Sequence, residues 1–337
     1  MHRVHLSAVP EQEQRSPSGR FHSFCRNLSL ALGGVAGAGI WGGGHPFDLQ
    51  IRRVPPGAAV CPLHLHCAQW ELFVVRSGVG TVRADGQRHT VTAGDVFVHP
   101  PHAPHQLINT GAEDLDVLII ADNPPFDLCY YPDSDKWGSR FIGGSFRMQR
   151  CSYFDGEEPP PASPQPAPSF ALPATPPFAS RRVAIDALPW ENFNSPKRKF
   201  RGYSKELSIA LGAQRKQATG LGGHPFDLEL GKLPPGFSGC PYHSHATQWE
   251  CYLFLEGAGT VRTASENFSV GPGDVVLHPP GEAHQFTNTG TTDLQYFLVA
   301  DNPPVDIWQY PDSNKWGFNA PRKFFRPADV DYWDGEE

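Results

Sequence analysis

The sequence predicts an all-β protein built as two tandem domains, each a sandwich or a barrel, joined by a proline-rich linker. Three observations predict it. The second half of the chain repeats the first at a constant offset of 179 residues. A spacer with nine prolines among its 22 residues, 159–180, separates the copies. Inside each copy, short apolar runs recur at roughly ten-residue intervals between Gly and Pro turns.

The repeat is read from identical words. Gly-Gly-His-Pro-Phe-Asp-Leu stands at 43–49 and again at 222–228, Asp-Asn-Pro-Pro at 122–125 and 301–304, and Tyr-Pro-Asp-Ser-x-Lys-Trp-Gly at 131–138 and 310–317. A repeat this long is a duplicated domain and not a solenoid element. The predicted domains are 1–158 and 181–337, with an extended polyproline-like linker over 159–180. At 337 residues the chain has the length of two domains.

Composition narrows the function. Charged residues are only 19% of the chain, while Gly (34) and Pro (35) are abundant, which favours turn-rich β structure. The net charge of -7 argues against a nucleic-acid or anionic-membrane surface. Seven cysteines, an odd number without a Cys-x-x-Cys pair, fit a reducing compartment, and the N-terminus lacks a signal-peptide core, so a cytoplasmic protein is expected. The apolar Gly-rich stretch Ala31 to Gly44 is too short to span a bilayer.

The predicted strands follow in order. Leu28, Leu30 and Leu32, matched by Leu207, Ile209 and Leu211, alternate at period 2 and read as a strand, with a short helix as the alternative. Glu71–Val75 and Glu250–Leu255 are apolar runs that end near Gly. Thr81–Arg83 and Thr260–Arg262 follow Gly-x-Gly turns. Asp95–Val98 and Asp274–Leu277 run into Pro-Pro, and Val117–Ile120 and Tyr296–Val299 are a further buried pair.

Chemistry concentrates in two segments per copy. The first holds His64, His66 and Glu71, with His243, His245 and Glu250 as its twin. Residues i and i+2 of a strand share a face, so His-x-His sets two imidazoles side by side. Glu71, five residues past His66, needs a turn or a neighbouring strand to join them. The second segment places His105 and His284 after a tight turn, where strand pairing could bring a third imidazole to the first two.

These residues resemble the two motifs of the cupin superfamily: His-x-His-x4-Glu-x6-Gly, then Gly-x5-Pro-x-Gly-x2-His-x3-Asn. Gly273 to Asn288 matches the second motif at every fixed position. The first copy departs only at His102, where the turn glycine should stand. The resemblance implies a bicupin: two double-stranded β-helix (jelly-roll-like) barrels forming an internal pseudo-dimer, whose edges could still assemble into a homo-oligomer. It also implies one divalent transition metal per domain, held by His64, His66, Glu71 and His105 and by His243, His245, Glu250 and His284. The donors suit Fe, Mn, Zn, Ni, Co or Cu without selecting among them. Four protein ligands on an octahedral ion leave two positions, enough for a bidentate substrate or for substrate and dioxygen. A structural zinc site would be closed and would use Cys.

Other residues invite roles beside bland readings. Gln69 and Gln248 could hydrogen-bond a metal-bound water or substrate, or simply brace a loop. Trp70 and Trp249 read as core. His99 and His278 could support a ligand or move a proton, although a turn or solvent-facing role is the plainer expectation. Arg83 and Arg262, if inward, could clamp a substrate carboxylate, but surface arginine is commoner. Cys61 and Cys240 read as small buried thiols, and His45 and His224 as turn residues. The repeated Tyr-Pro-Asp-Ser tail suggests a structured segment packed on the barrel or on the other domain.

Three functions are weighed. Resemblance to three-His-one-Glu cupins implies a metal-dependent oxidoreductase of dioxygenase type acting on a small organic substrate. A redox-neutral metalloenzyme is the second reading: a sugar isomerase, for which few Lys and Arg lie near the motifs, or an oxalate-type decarboxylase, for which Glu282 is the only loose acid, without an acidic counterpart in the first copy. A non-catalytic metal- or ligand-binding bicupin is the third, and retention of every ligand candidate in both copies argues against it.

Overall fold

A computed structural model describes residues 2–35, 38–140, 142–151, 153–157, 173–215, 217–319 and 322–336. Most of the proline-rich linker, 159–172, lies outside the described residues. The twin all-β architecture expected from the sequence is present. Each copy has one seven-stranded antiparallel sheet, a facing three-stranded sheet and a small four-stranded sheet at the barrel mouth.

In the first copy the large sheet runs Arg182–Ala184, Asp95–His99, Glu71–Ser77, Leu115–Asp122, Phe47–Val54, His22–Asn27, Gln12–Arg15. In the second it runs His2–His5, Asp274–His278, Glu250–Glu256, Leu294–Asp301, Phe226–Leu233, Arg201–Glu206, Glu191–Asn194. The edge strands are exchanged. His2–His5 from the start of the chain pairs with Asp274–His278, and Arg182–Ala184 from the start of the second copy pairs with Asp95–His99. Each exchange covers an edge that would otherwise present unpaired backbone groups.

The apolar runs that lack alternation now have a reason. In Glu71–Ser77, Phe73 and Val75 face the core of their own barrel, while Leu72 and Val74 join a cluster shared by both copies. That shared cluster sets Phe47, Leu118 and Ile120 against Phe226, Leu253 and Val299. The large sheets are thus buried on both faces, so their strands are apolar on both faces. Fully burying such side chains contributes roughly 1.5–3 kcal/mol each.

The strand expected at Leu28–Leu32 is a single helical turn, Leu28–Ala31, as is its twin Leu207–Ala210. Asn27 caps the first turn by accepting a bond from the Leu30 amide. Leu28 and Leu32, spaced i and i+4, are buried together in the shared cluster, and Leu30 points outward. The spacing of three leucines satisfied both periods.

The repeated Gly-Gly-His words also serve this interface. His45 packs on Trp249 at a ring separation of 5.3 Å, and His224 on Trp70 at 4.8 Å. Both Nδ1 atoms are buried without a hydrogen-bond partner among the described residues. Burial holds each ring down to about 4 from an ordinary 6.5. The unfolded chain therefore binds more protons than the folded one between those values, and acid destabilises the interface through that window. We expect stability to fall as pH drops from 6.5 towards 4, with each ring contributing roughly 1–3 kcal/mol. His45→Gln and His224→Gln, followed by thermal melts at pH 7.5 and 4.5, should each flatten the loss; an unchanged slope in both would show that these rings do not carry it.

Candidate metal centres

Strand pairing assembles each site. His64 and His105 form an antiparallel bridge through mutual backbone bonds of 3.1 and 2.8 Å, which sets their rings 4.4 Å apart. His66 follows on the strand Leu65–His66. The chain then turns through Cys67–Trp70 and enters Glu71–Ser77, so Glu71 arrives from a neighbouring strand. Glu71 Oε2 lies 2.7 Å from His105 Nε2, 3.6 Å from His66 Nε2 and 3.7 Å from His64 Nε2.

The second copy repeats this. Glu250 lies 2.8 Å from His284 Nε2, 3.9 Å from His243 Nε2 and 3.7 Å from His245 Nε2. His243 Nε2 and His245 Nε2 are 3.1 Å apart. All eight residues singled out from the sequence therefore converge as two groups of four.

The outward nitrogens show what the inward ones are for. His64 Nδ1 donates to Pro62 O at 3.0 Å, and His105 Nδ1 to Ala103 O at 3.0 Å. His243 and His284 make the matching bonds to Pro241 O and Glu282 O. A carbonyl accepts only from N–H, so the proton sits on Nδ1 and the Nε2 lone pair faces inward. His66 and His245 use Nδ1 against Asp127 and Asp306, both at 2.6 Å. His66 Nε2 is buried with no hydrogen-bond partner among the described residues.

Electron-rich atoms thus crowd together with little to compensate them. Burial alone would lift the Glu71 and Glu250 carboxyls, but the facing imidazoles outweigh it and hold both well below the carboxylate range. Burial alone would lower His66, but Glu71 and the Asp127 bond outweigh it and push the ring up to about 10. The cluster draws positive charge. A divalent cation would supply it, and imidazole nitrogens with one carboxylate oxygen suit a first-row transition ion.

Asp127 and Asp306 were not among the residues found from sequence. Each holds a His ring from behind, 61 positions away, and also accepts backbone N–H bonds from the turn before the Glu. The carboxylate–imidazole pairing orients a ligand and raises its basicity. The signal was in the sequence, since both aspartates end a repeated Asp-Asn-Pro-Pro-x-Asp word. Cys129 lies 3.4 Å from His66 Nδ1, and Trp308 takes its place in the second copy.

The other candidates fall as follows. Gln69 and Gln248 line the cavities and donate through Nε2 to Asp122 O and Asp301 O, both at 2.6 Å. The inward clamp considered for Arg83 and Arg262 does not form. Arg83 pairs with Asp133 and Arg262 with Asp312, which tie down the repeated tail. That tail is a hairpin, pairing Cys129–Tyr131 with the His66 strand and stacking Tyr131 over His64. Cys61 and Cys240 are free thiols 3.4 and 3.6 Å from the Nδ1 atoms of His64 and His243.

His99 and His278 are neither solvent-facing nor turn residues. Each is buried and stacks flat on the third imidazole, His105 or His284, at 3.9 Å and 6°. Neither lines its cavity. Behind His99 stands Arg181, contributed by the start of the second copy, with Nη1 3.2 Å from His99 Nδ1. Behind His278 stands Glu282, with its carboxylate at 3.4 Å.

The two cavities differ. The first is about 700 Å³ and includes Gln50, Arg52, Phe73 and Ile119 among its walls. The second is about 330 Å³ and is walled by Glu229, Tyr252, Tyr296 and Leu298.

A double barrel with a histidine-rich centre in each copy defines a tandem cupin-type protein with a candidate metal site in each barrel. The cupin domain family matches residues 50–121 and again 229–300, so each copy carries a cupin domain. It is similar to the oxalate-binding protein of Thermotoga maritima, at 38% identity over 68 residues, covering 20% of this chain and 55% of that protein. It is similar to the 5-aminosalicylate 1,2-dioxygenase of a Comamonas species, at 24% identity over 282 residues, covering 77% of this chain and 66% of that enzyme. These matches span about half to two-thirds of the relatives' own lengths. Among solved structures, an oxalate decarboxylase variant from Bacillus subtilis superposes with a TM-score of 0.53 at 15% identity, over 91% of this chain and 78% of that one. Another structure of that enzyme concerns its Mn(II) centres.

The departure at His102 proves conformational. His102 adopts φ +68° where Gly281 has +84°, and the two make the same backbone bond, to His66 O and His245 O, at 2.7 Å. A side chain in this region costs roughly 1–2 kcal/mol, partly offset by glycine's greater freedom when unfolded. His102→Gly should therefore raise stability by up to about 1 kcal/mol in denaturant melts and leave metal content unchanged. Loss of metal from this variant would give His102 a role in the site itself.

Proposed function

We propose that this bicupin is a metal-dependent oxidoreductase of dioxygenase type acting on a small organic substrate. The observation that carries the reading is the convergence of three imidazole Nε2 atoms and one carboxylate in each barrel, with every outward nitrogen already bonded. The proposed ligands are His64, His66, Glu71 and His105, and His243, His245, Glu250 and His284. Iron or manganese bound there supplies a Lewis acid and a partner for dioxygen. Likeness to a dioxygenase across most of the chain supports the reaction class.

The chain's own residues prepare the site. Asp127 and Asp306 hold the second imidazole of each set. His99 and His278 back the third through flat stacking. Gln69 and Gln248 close the cavity wall with an amide. The units 1–158 and 181–337 each lend their first strand to the other's sheet, while each site's ligand candidates and cavity walls come from its own unit.

An oxalate-type decarboxylase draws support from the fold likeness. It needs a mobile acid in the cavity. Glu282, the acid with the best sequence claim, turns to His278 behind the ligand ring and does not line the second cavity. Ala103 occupies its place in the first copy. The dioxygenase reading is therefore preferred.

Metal analysis of the purified chain should find about two ions, and His64→Ala and His243→Ala should each remove about one. Asp127→Asn should weaken the first ion by roughly 10–100-fold in chelator competition without abolishing it. With a turned-over substrate, iron- or manganese-loaded protein should consume dioxygen. Turnover that proceeds equally under anaerobic conditions would remove the dioxygenase class.

A further inference from the structure

The two barrels keep the same ligand candidates but differ in what faces them. Strand Phe47–Val54 of the first copy and Phe226–Leu233 of the second supply matching wall positions: Asp48 and Asp227, Gln50 and Glu229, Arg52 and Gly231. The ladder fixes their heights. Asp48 pairs with Ala121, which pairs with Glu71, so Asp48 shares the row of the metal-binding carboxylate. Gln50 lies one same-face row along, level with Ile119 and Phe73. Arg52 lies one row further, level with Val117 and Val75.

Arg52 lines the first cavity together with the metal-ligand candidates. Its guanidinium donates to Gln14 Oε1 at 2.6 Å, Ser23 Oγ at 2.9 Å and Gln50 Oε1 at 3.1 Å. All three acceptors are neutral. Among the described residues no carboxylate lies in ion-pair range of it, whereas Arg53, Arg76 and Arg83 each have one. A half-buried guanidinium held in place by neutral groups is a preorganised fork for a carboxylate. The cavity's Asp48 is already engaged, since Asn123 and Ser29 hydrogen-bond its carboxyl. Between Arg52 and the metal end the wall sets Phe73, Leu107 and Ile119 beside the amide of Gln50.

In the second barrel this arrangement is cancelled residue by residue. Gly231 stands at the place of Arg52, and the Tyr296 ring lies directly on it, so that even a Cβ there would collide. Tyr296 replaces Val117, and Tyr252 replaces Phe73 and donates to Glu250 at 3.1 Å. Glu229 replaces Gln50, and its acidic side chain is half-buried in the cavity wall. An anionic ligand would meet a carboxyl where the first barrel offers an amide.

We propose that the first barrel is the substrate site and that Arg52 there anchors the carboxylate of a small acid with an apolar or aromatic body. The second barrel, with equivalent ligand candidates, takes no such acid. This deepens the metalloenzyme reading above and rests on it for the role of the site.

The test uses the full chain as purified and paired probes: benzoate and benzamide, 2-hydroxybenzoate and 2-hydroxybenzamide, hexanoate and hexanamide. By calorimetric titration at least one acid should bind tenfold or more tightly than its amide. Arg52→Gln should abolish that preference, Arg52→Lys should keep part of it, and Glu229→Gln should leave it unchanged. Should Arg52→Gln fail to fold, phenylglyoxal labelling of the unmutated protein replaces it. Arg52 should be protected by the preferred acid and not by its amide, as read by peptide mass spectrometry. No acid preference, a preference that survives Arg52→Gln in folded protein, unprotected Arg52, or loss of the preference in Glu229→Gln each overturns the proposal. Metal content is measured in parallel. Bound metal without acid preference removes the Arg52 anchor alone. Acid preference through Arg52 without bound metal removes the metalloenzyme reading and leaves the anchor.

Discussion

The structure turns on one electrostatic constraint: lone pairs and a carboxylate brought together with no proton donor of their own between them. Every imidazole in the two sites spends its N–H outward, on a carbonyl or an aspartate. What remains inward is acceptor only, and two such nitrogens lie 3.1 Å apart in the second barrel. Such an arrangement is costly unless a cation or shared protons occupy the centre. The surrounding strands hold the donors together against that repulsion, which is why the donors sit on paired strands and bridges and not on a loop.

Rigidity of that kind needs a second layer, and the duplication supplies it. The large sheet of each barrel is apolar on both faces because its back packs on the back of the other. Exchange of the first strands makes the dependence mutual. Arg181 enters the first barrel from the start of the second copy and reaches His99, which lies flat on His105. The corresponding position in the first copy is His2, so the backing of the second barrel's imidazole falls to Glu282 instead. Two sites of like ligands are thus supported by unlike charges.

The sequence carried the fold and all eight ligand candidates because both are written in short-range pattern: apolar runs, turn residues and His-x-His. Contacts that depend on chain reversal were less visible. Nothing local to Asp127 marks it as a partner of His66, 61 residues away, except that its word recurs around Asp306. His99 read as a turn residue because its neighbours are prolines, yet the next strand lays His105 on it. The leucines at 28, 30 and 32 fitted a strand at period 2, while Leu28 and Leu32 alone fitted a helix turn. The helical turn forms in both copies, capped by Asn27 in the first and without a side-chain cap in the second. Arg83 suggested a carboxylate clamp, and it does grip a carboxylate, but that of Asp133 in its own tail.

The internal repeat offers a comparison that a single domain cannot. Positions that agree between the copies report what the barrel and its cluster of donors need, because both copies fold under the same constraint. Positions that differ while pointing into the cavity report something the fold does not require. Gln50 against Glu229 and Arg52 against Gly231 are such positions, on one face of one strand, at matching heights. Random drift on a buried face would favour volume-conserving exchanges, since each missing or extra group costs stability. Exchanging arginine for glycine conserves neither volume nor charge, and it is compensated by a tyrosine that fills the vacated space on the paired strand. A coupled change of this size keeps the second barrel packed while closing the room that the first keeps open. One barrel keeps a cavity of about 700 Å³, and the other, at about 330 Å³, spends part of that volume on its own core.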